Sequence, residues 1–407
     1  MARISATALP GSAALLALGW GSNQFAPLVV GYQVTADVSA AATEGMFVLY
    51  AVGLVPGLFV GGHLSDRFGR RAVIMGALSL AAISSVLLMA GGFALGLLYA
   101  GRLVAGIASG IGLSAGTAWV KEESHSLHGA RHAVIAMTTG FALGPLVAGV
   151  LAAVDSQRLW LSYLPHVVVT MVALVLAARA RTGRSSRPNA TYNPPSGQAL
   201  VRMPTFWKVI VPLAPWVFLT AAIALATLPG AVPGHSVGGP LWSAALVTPL
   251  PAVAGVAVQS LIRRMHHLRG QVVLGLAGAC AGLTLGAGAV AAQSFALMLT
   301  SCIVLGIAYG ICQTAGLHAV TALSPPHRLG RSTAIYQALT YLGYLAPLPI
   351  IALDHVIDLT TILAVLAGLA VLTAAIIVPS TTKGTADAPT TNERTTHPAA
   401  DQQSAGR

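Results

Sequence analysis

Hydrophobic positions in this chain fall into long unbroken runs, not the alternating or amphipathic patterns of a soluble core. Twelve runs lie at about 10–31, 45–64, 72–90, 93–119, 130–153, 159–178, 206–230, 241–262, 271–291, 294–322, 332–352 and 359–378. A helix rising 1.5 Å per residue needs roughly 20 apolar residues to cross a bilayer core. The pattern therefore predicts twelve transmembrane helices in an all-α polytopic membrane protein. In lipid the backbone has no water to bond, and helices satisfy it internally. The longest internal polar stretch, 179–205, holds Arg, Ser, Asn, Pro and Gly. It reads as a linker between a six-helix bundle at 1–178 and another at 206–379. Residues 380–407, rich in Thr, Ala and Asp, read as a disordered tail.

Composition agrees: the 407 residues are 55% hydrophobic and 8% charged, with 44 glycines. A net charge of +11 would by itself admit a nucleic-acid partner. Threaded through twelve spans, however, nearly all the basic residues fall on one side. Arg3, Arg67, Arg70, Arg71, Lys121, Arg131, Arg179, Arg184, Arg187, Arg263, Arg264, Arg328 and Arg331 are among them. The other side holds Asp37, Glu44, Asp155, Asp354 and Asp358, with Arg158 as its lone basic residue. By the positive-inside rule this places both termini in the cytoplasm of a cell-membrane protein, its basic loops meeting anionic headgroups and no nucleic acid. Cys280, Cys302 and Cys312 all lie inside apolar runs, with neither a disulfide framework nor metal-ligand spacing, so no cofactor is expected. The first run continues through Pro27 and Val30 without a small-residue cleavage site, which reads as an uncleaved first helix.

The two halves repeat. At an offset of 200, Gly106-Ile-Ala-Ser-Gly110 with Gly116 matches Gly306-Ile-Ala-Tyr-Gly310 with Gly316, and Arg131 matches Arg331. A duplicated six-helix unit with a site between its copies is one way to build alternating access.

Between the second and third runs lies a charged turn, Gly62-His63-Leu64-Ser65-Asp66-Arg67-Phe68-Gly69-Arg70-Arg71. Gly62, Leu64, Asp66, Arg67, Gly69, Arg70 and Arg71 resemble the signature loop between helices 2 and 3 of the major facilitator superfamily. That resemblance implies a transporter whose halves rock about a central site. It also implies that Asp66 pins the inner ends of the halves through the start of helix 11. Arg102, followed by Gly106 and Gly110, resembles the helix-4 motif of the same superfamily, where the arginine serves proton coupling or substrate contact; that role is read here ahead of snorkelling to the outer interface. Gly140-Phe-Ala-Leu-Gly144-Pro145, with Gly149 beyond, resembles the helix-5 motif of the drug:proton antiporter branch, although Ala148 stands where a second terminal glycine is usual.

Other candidates come from the residues themselves. Asn23 and Gln24, between Gly21 and Pro27, point to an irregular helix lining a wet cavity, or to bonds between helices. Trp216 beside Pro212 and Pro215 is a further cavity candidate, against a packing role. His125, His128 and His132 share helical spacing but sit among Lys121, Glu122, Glu123 and Arg131, so a solvated surface is read there, not a metal site. His166 and His318 read as packed, hydrogen-bonded histidines, with His318 also a candidate to titrate in the cavity. No Asp or Glu falls deep in a predicted span. Coupling would then rest on Asp37, Glu44, Asp66, Arg102 or a histidine.

These readings converge on a monomeric secondary transporter that moves a small organic solute, with protons as the expected coupling ion. The resemblance favours proton-coupled efflux of a drug-like or secondary-metabolite compound. The alternative is an importer or facilitator of a sugar, organic acid or other metabolite. An intramembrane enzyme or sensor would need clustered catalytic groups or a soluble domain, and neither is visible.

Overall fold

The computed structural model describes residues 9–123, 129–180, 200–232, 238–265, 267–324 and 329–383. His125, His128, the linker at 181–199, the tail from 384, and Arg3, Arg184, Arg187 and Arg328 lie outside them. So do the side chains of Lys121, Glu122, Glu123, Arg131 and Arg331. Among the described residues, twelve helices are long and apolar enough to span a membrane. In order they are α1 Leu9–Thr35, α2 Ala40–Phe68, α3 Arg70–Gly92, α4 Leu95–Val120, α5 Ile135–Val154, α6 Leu159–Arg179, α7 Phe206–Ala231, α8 Pro240–Ile262, α9 Leu268–Ala292, α10 Phe295–Leu323, α11 Ser332–Asp354 and α12 Leu359–Ser380. The chain is an integral multi-pass membrane protein, with spans close to those its hydropathy predicts.

One boundary differs with consequence. α2 starts at Ala40, not near 45, because the Ser39 hydroxyl accepts the Ala42 N–H and caps the helix. The added turn carries Glu44 inside the span. Its other end stops at Phe68, and α3 starts at Arg70, leaving Gly69 at φ +85° as the whole link. A side chain there would be strained, so this turn requires glycine.

Close helix crossings follow the glycine pattern. A Cβ on Gly106 would lie 2.0 Å from the Tyr50 carbonyl oxygen, and one on Gly110 2.3 Å from that of Leu54, so α4 rests backbone-on-backbone against α2. In the second half a Cβ on Gly306 would lie 2.5 Å from Pro251 Cα and one on Gly310 2.1 Å from the Gly255 oxygen, which joins α10 to α8 in the same way. Small residues make such approach possible in lipid, where packing must replace the hydrophobic drive.

α1–α6 and α7–α12 each enclose an apolar core, one running from Ala14 to Ala177 and the other from Leu200 to Ile377. A third buried cluster joins them, with Phe47 and Tyr50 of α2, Ala221 and Leu225 of α7, and Tyr341 and Tyr344 of α11. Toward the face opposite the Gly69 turn the halves close on each other. A Cβ on Gly149 of α5 would stand 2.6 Å from Ala245 Cα of α8, and Gly31 of α1 packs against Leu159 and Leu241. The named contacts between halves occupy that face and the centre, while Asp66 at the turn face is 66% exposed.

Candidate functional site

Four helices lose regular geometry near the middle of the molecule. α1 breaks at Gln24–Phe25, α7 takes a π turn at Ile223–Thr227, α8 breaks at Thr248–Pro249, and α11 tightens to a 3-10 turn at Tyr341–Leu345. Irregular backbone at membrane depth is tolerated where it is buried in protein or lines a cavity, and here a cavity lies beside it. The cavity has about 490 Å³ of empty space, including volume open to solvent. Ser22 and Asn23 of α1, Tyr50 of α2 and Phe141 of α5 form one wall; Phe218, Ala221, Leu225, Pro251, Ala252, Val256, Tyr309, Tyr341 and Tyr344 form the other.

The 3-10 turn explains part of this wall. Residues three apart eclipse in such a helix, so Tyr341 and Tyr344 stack with centroids 5.8 Å apart and planes at 16°. Phe218 of α7 stacks on Tyr341 at 4.3 Å and 19°. Tyr344 also reaches across to Phe47 of α2 at 5.2 Å. The aromatic wall thus touches both halves.

Behind Tyr50 lies the buried cation. Arg102 is fully buried, about seven residues or ~10 Å along α4. Its Nε donates to the Met46 carbonyl at 3.2 Å and a terminal N–H to Phe47 at 3.5 Å. The guanidinium carbon sits 4.7 Å from the ring centres of both Phe25 and Tyr50. Its Nη1 has no partner, and no carboxylate is within ion-pair distance among the described residues. Cation–π contact and helix carbonyls therefore replace a counter-ion. Snorkelling does not describe this residue.

Of the two α1 amides, Asn23 lines the cavity and Gln24 does not. Gln24 Nε2 donates to Ser85 Oγ at 3.2 Å inside the first half. Ser85 in turn meets His166 Nδ1 at 2.6 Å, and His166 Nε2 meets the Ala17 carbonyl at 3.0 Å. A carbonyl only accepts, so the proton sits on Nε2, and Ser85 donates to Nδ1. Ser22 donates to the Leu18 carbonyl at 2.8 Å, which leaves Ser109 to donate to Ser22 across 3.2 Å.

Other predicted candidates lie away from the cavity. Trp216 points to α12, donating to Thr373 Oγ1 at 3.3 Å, because its face of α7 is buried in the second core. His318 faces the loop after α8, with Nδ1 3.1 Å from Gln271 Oε1, beside Arg263, Met265 and Thr314 in a separate pocket. It does not line the central cavity, since it lies two turns beyond Gly310, toward the turn face. Asp37 is exposed in the turn after α1, at φ +52°. Glu44, expected near the outer mouth, is only 4% exposed with Oε2 unpartnered, and it is the one buried carboxyl among the described residues.

Among the described residues, several contacts of the signature turn fall within its own half. Asp66 meets Arg70 at 2.8 Å, and Arg70 also bonds Ser65. Arg71 Nε donates to Ala177 at 2.9 Å and its fork to Ala178, capping the end of α6 with a cation. Leu64 packs on the first core; Arg67 lies 5.2 Å from the Phe68 ring, and Gly62 stands beside Ser114. Residues 325–328, at the head of α11, are outside the described residues. The helix-5 motif divides its work. A Cβ on Gly140 or Gly144 would strike α1 at Leu16 or Trp20, Pro145 lies inside the same helix, and Gly149 faces the other half.

Residues 11–348 match the family model described as Major Facilitator Superfamily. The chain belongs to that superfamily. No curated protein matches it by sequence. Among solved structures it is similar to the crystal structure of a D-xylose-proton symporter, with a TM-score of 0.70 and 17% identity over 93% of this chain and 99% of the other. At that identity the likeness speaks for the fold. The superfamily member is a membrane transporter, not an enzyme.

What the sequence reading of this transporter missed is the aromatic wall. A tyrosine in an apolar helix reads like any packed ring. One signal was available: Phe141 and Tyr341 stand 200 apart, in register with the glycine repeat, and both line the cavity.

Proposed function

We propose that the protein carries a small organic solute across the cell membrane by alternating access, as a monomer whose site is complete within one chain. Its two six-helix halves, joined through 179–205, rock about the central cavity, with the Gly69 turn and both termini in the cytoplasm. The observation that carries this reading is a cavity walled by α1, α2 and α5 of one half and α7, α8, α10 and α11 of the other. A rocking motion that opens the far seal at Gly149–Ala245 and Gly31–Leu241 would expose that cavity to the second side.

Coupling to protons is part of the proposal. Glu44, a buried carboxyl with an unpartnered oxygen, is its candidate carrier, and Arg102, buried with one unpartnered N–H group, is the fixed charge that coupling or solute contact would use. Direction divides two readings. The α5 Gly-Pro run favours export of a drug-like compound. The similarity to a D-xylose-proton symporter favours movement of a metabolite together with protons, and we adopt uptake as the leading reading. Purified protein in liposomes, given an imposed pH gradient and a solute panel that includes pentoses, separates them. Symport moves solute in the same direction as protons and antiport moves it against them; flux that ignores the gradient defeats the coupling, and no flux of any panel solute defeats the carrier reading.

A further inference from the structure

The cavity's chemistry narrows the solute, and this step rests on the carrier reading above. Two features of the wall decide. First, rings come from both halves: Phe141 and Tyr50 on one side face Phe218, Tyr341, Tyr344 and Tyr309 on the other. Phe218 and Tyr341 are already stacked on each other at 4.3 Å with planes at 19°, so the second half holds these two rings as one near-parallel unit. A flat ring seated between the two walls would gain offset-stacked contact that a puckered saturated ring cannot make. The polar groups are few, with the Asn23 amide, the Ser22 hydroxyl and the tyrosine hydroxyls among them. An amide offers one donor and one acceptor edge, enough to fix the in-plane orientation of a solute with a matching pair.

Second, no acidic side chain lines the cavity among the described residues, while a cation stands behind one wall. An aromatic box would ordinarily attract a cation through its ring faces. Here Tyr50 has its ring 4.7 Å from the Arg102 guanidinium. A cationic solute across that ring would meet repulsion in a low-dielectric interior, with no carboxylate in the wall to offset it.

We infer that the solute is a flat, uncharged ring compound with an adjacent donor and acceptor, stacked between Phe141 and the Phe218–Tyr341 pair and oriented by Asn23. Cations of the same shape are excluded by Arg102.

The test measures binding of four probes to the purified full-length protein in lipid nanodiscs. They are quinolin-2-one, its fully saturated lactam, the N-methylquinolinium cation and D-xylose. Quinolin-2-one is expected to bind at least tenfold tighter than the saturated lactam and the cation. Phe218→Leu, nearly volume-conserving, should bring the ratio of the two lactams to within twofold, while Asn23→Ala should weaken quinolin-2-one at least fivefold with the thermal midpoint unchanged. Equal binding of the saturated lactam would overturn the stacking argument, and equal or tighter binding of the cation would overturn the charge argument. If D-xylose binds and no quinoline does, the solute class is wrong and the carrier stands. If nothing binds and no panel solute moves in liposomes, the carrier reading fails with it.

Discussion

In the first half, α4 crosses α2 with Gly106 and Gly110 set against the Tyr50 and Leu54 carbonyls; 200 residues on, Gly306 and Gly310 of α10 are set against Pro251 and Gly255 of α8. The second kind of crossing is also shared. Gly140 and Gly144 of α5 meet α1 at Leu16 and Trp20, and Gly343 of α11 meets α7 at the Pro215 carbonyl, 2.2 Å from where its Cβ would be. Between these fixed crossings the chemistry has diverged. Arg102 in the first half stands at the place of Cys302 in the second, and Ser109 at that of Tyr309. The first half buries the arginine, Glu44, and the Gln24–Ser85–His166 chain; the second supplies most of the ring surface. Backbone contact admits only glycine, so it holds both copies to one architecture. Positions facing the cavity carry no such limit.

The largest expected effect breaks what the halves share. Gly106→Val and Gly310→Val would each force a side chain into backbone that cannot yield, costing about 3 kcal/mol or more. Each should abolish a monodisperse peak in detergent. Gly76→Val in α3 and Gly368→Val in α12, where nothing lies within 4 Å, are the paired controls and should be nearly neutral. Equal damage from all four would mean that the crossings do not govern assembly.

A smaller effect sharpens the difference between the halves. Arg102→Lys keeps the charge but loses the planar fork that reaches two carbonyls and lies against two rings, and should cost about 2–3 kcal/mol. Cys302→Ala removes only a weak S–H contact with Ala224, 3.5 Å away, and should cost about 1 kcal/mol. Thermal unfolding of both variants in one detergent checks the order. Matching midpoints would show that the buried cation does no more for the first half than a thiol does for the second.

How much of this was legible beforehand depends on the kind of constraint. Bilayer crossing needs a long apolar run whatever surrounds it, so the spans could be read from hydropathy alone. The Gly69 turn and the repeated glycines were legible because few residues substitute for glycine there. Side-chain direction was not. Asn23 and Gln24 are neighbours, yet only one faces the cavity, because adjacent helical residues point about 100° apart and the helix breaks between Gln24 and Phe25. Glu44 looked like a mouth residue until the Ser39 cap lengthened α2, although a serine just ahead of an apolar run is a start signal in its own right. The depth of His318 was obscured because its helix is apolar along its whole length.

The smallest expected effect contrasts two helix starts on the face opposite the Gly69 turn. In the first half the Ser39 hydroxyl caps α2 by accepting the Ala42 N–H. In the second, Asp358 caps α12, accepting the Thr361 hydroxyl at 2.8 Å and the Thr361 N–H at 2.9 Å. The Thr361 hydroxyl, followed by its N–H, holds the Asp358 carboxyl below its ordinary value of 3.8. A carboxyl whose folded pKa is depressed contributes its stabilisation fully above the unfolded pKa, and loses it as pH falls through the lower folded value. The loss therefore lies below about pH 4. Serine does not titrate there, so α2 should keep its cap. Hydrogen exchange at 359–362, corrected for intrinsic rates, should quicken between pH 5 and pH 3 while exchange at 40–43 does not. Asp358→Asn should remove the difference between the two pH values. If both helix starts loosen together, the acid response belongs to the whole fold, and the charged cap does not set the second half apart from the first.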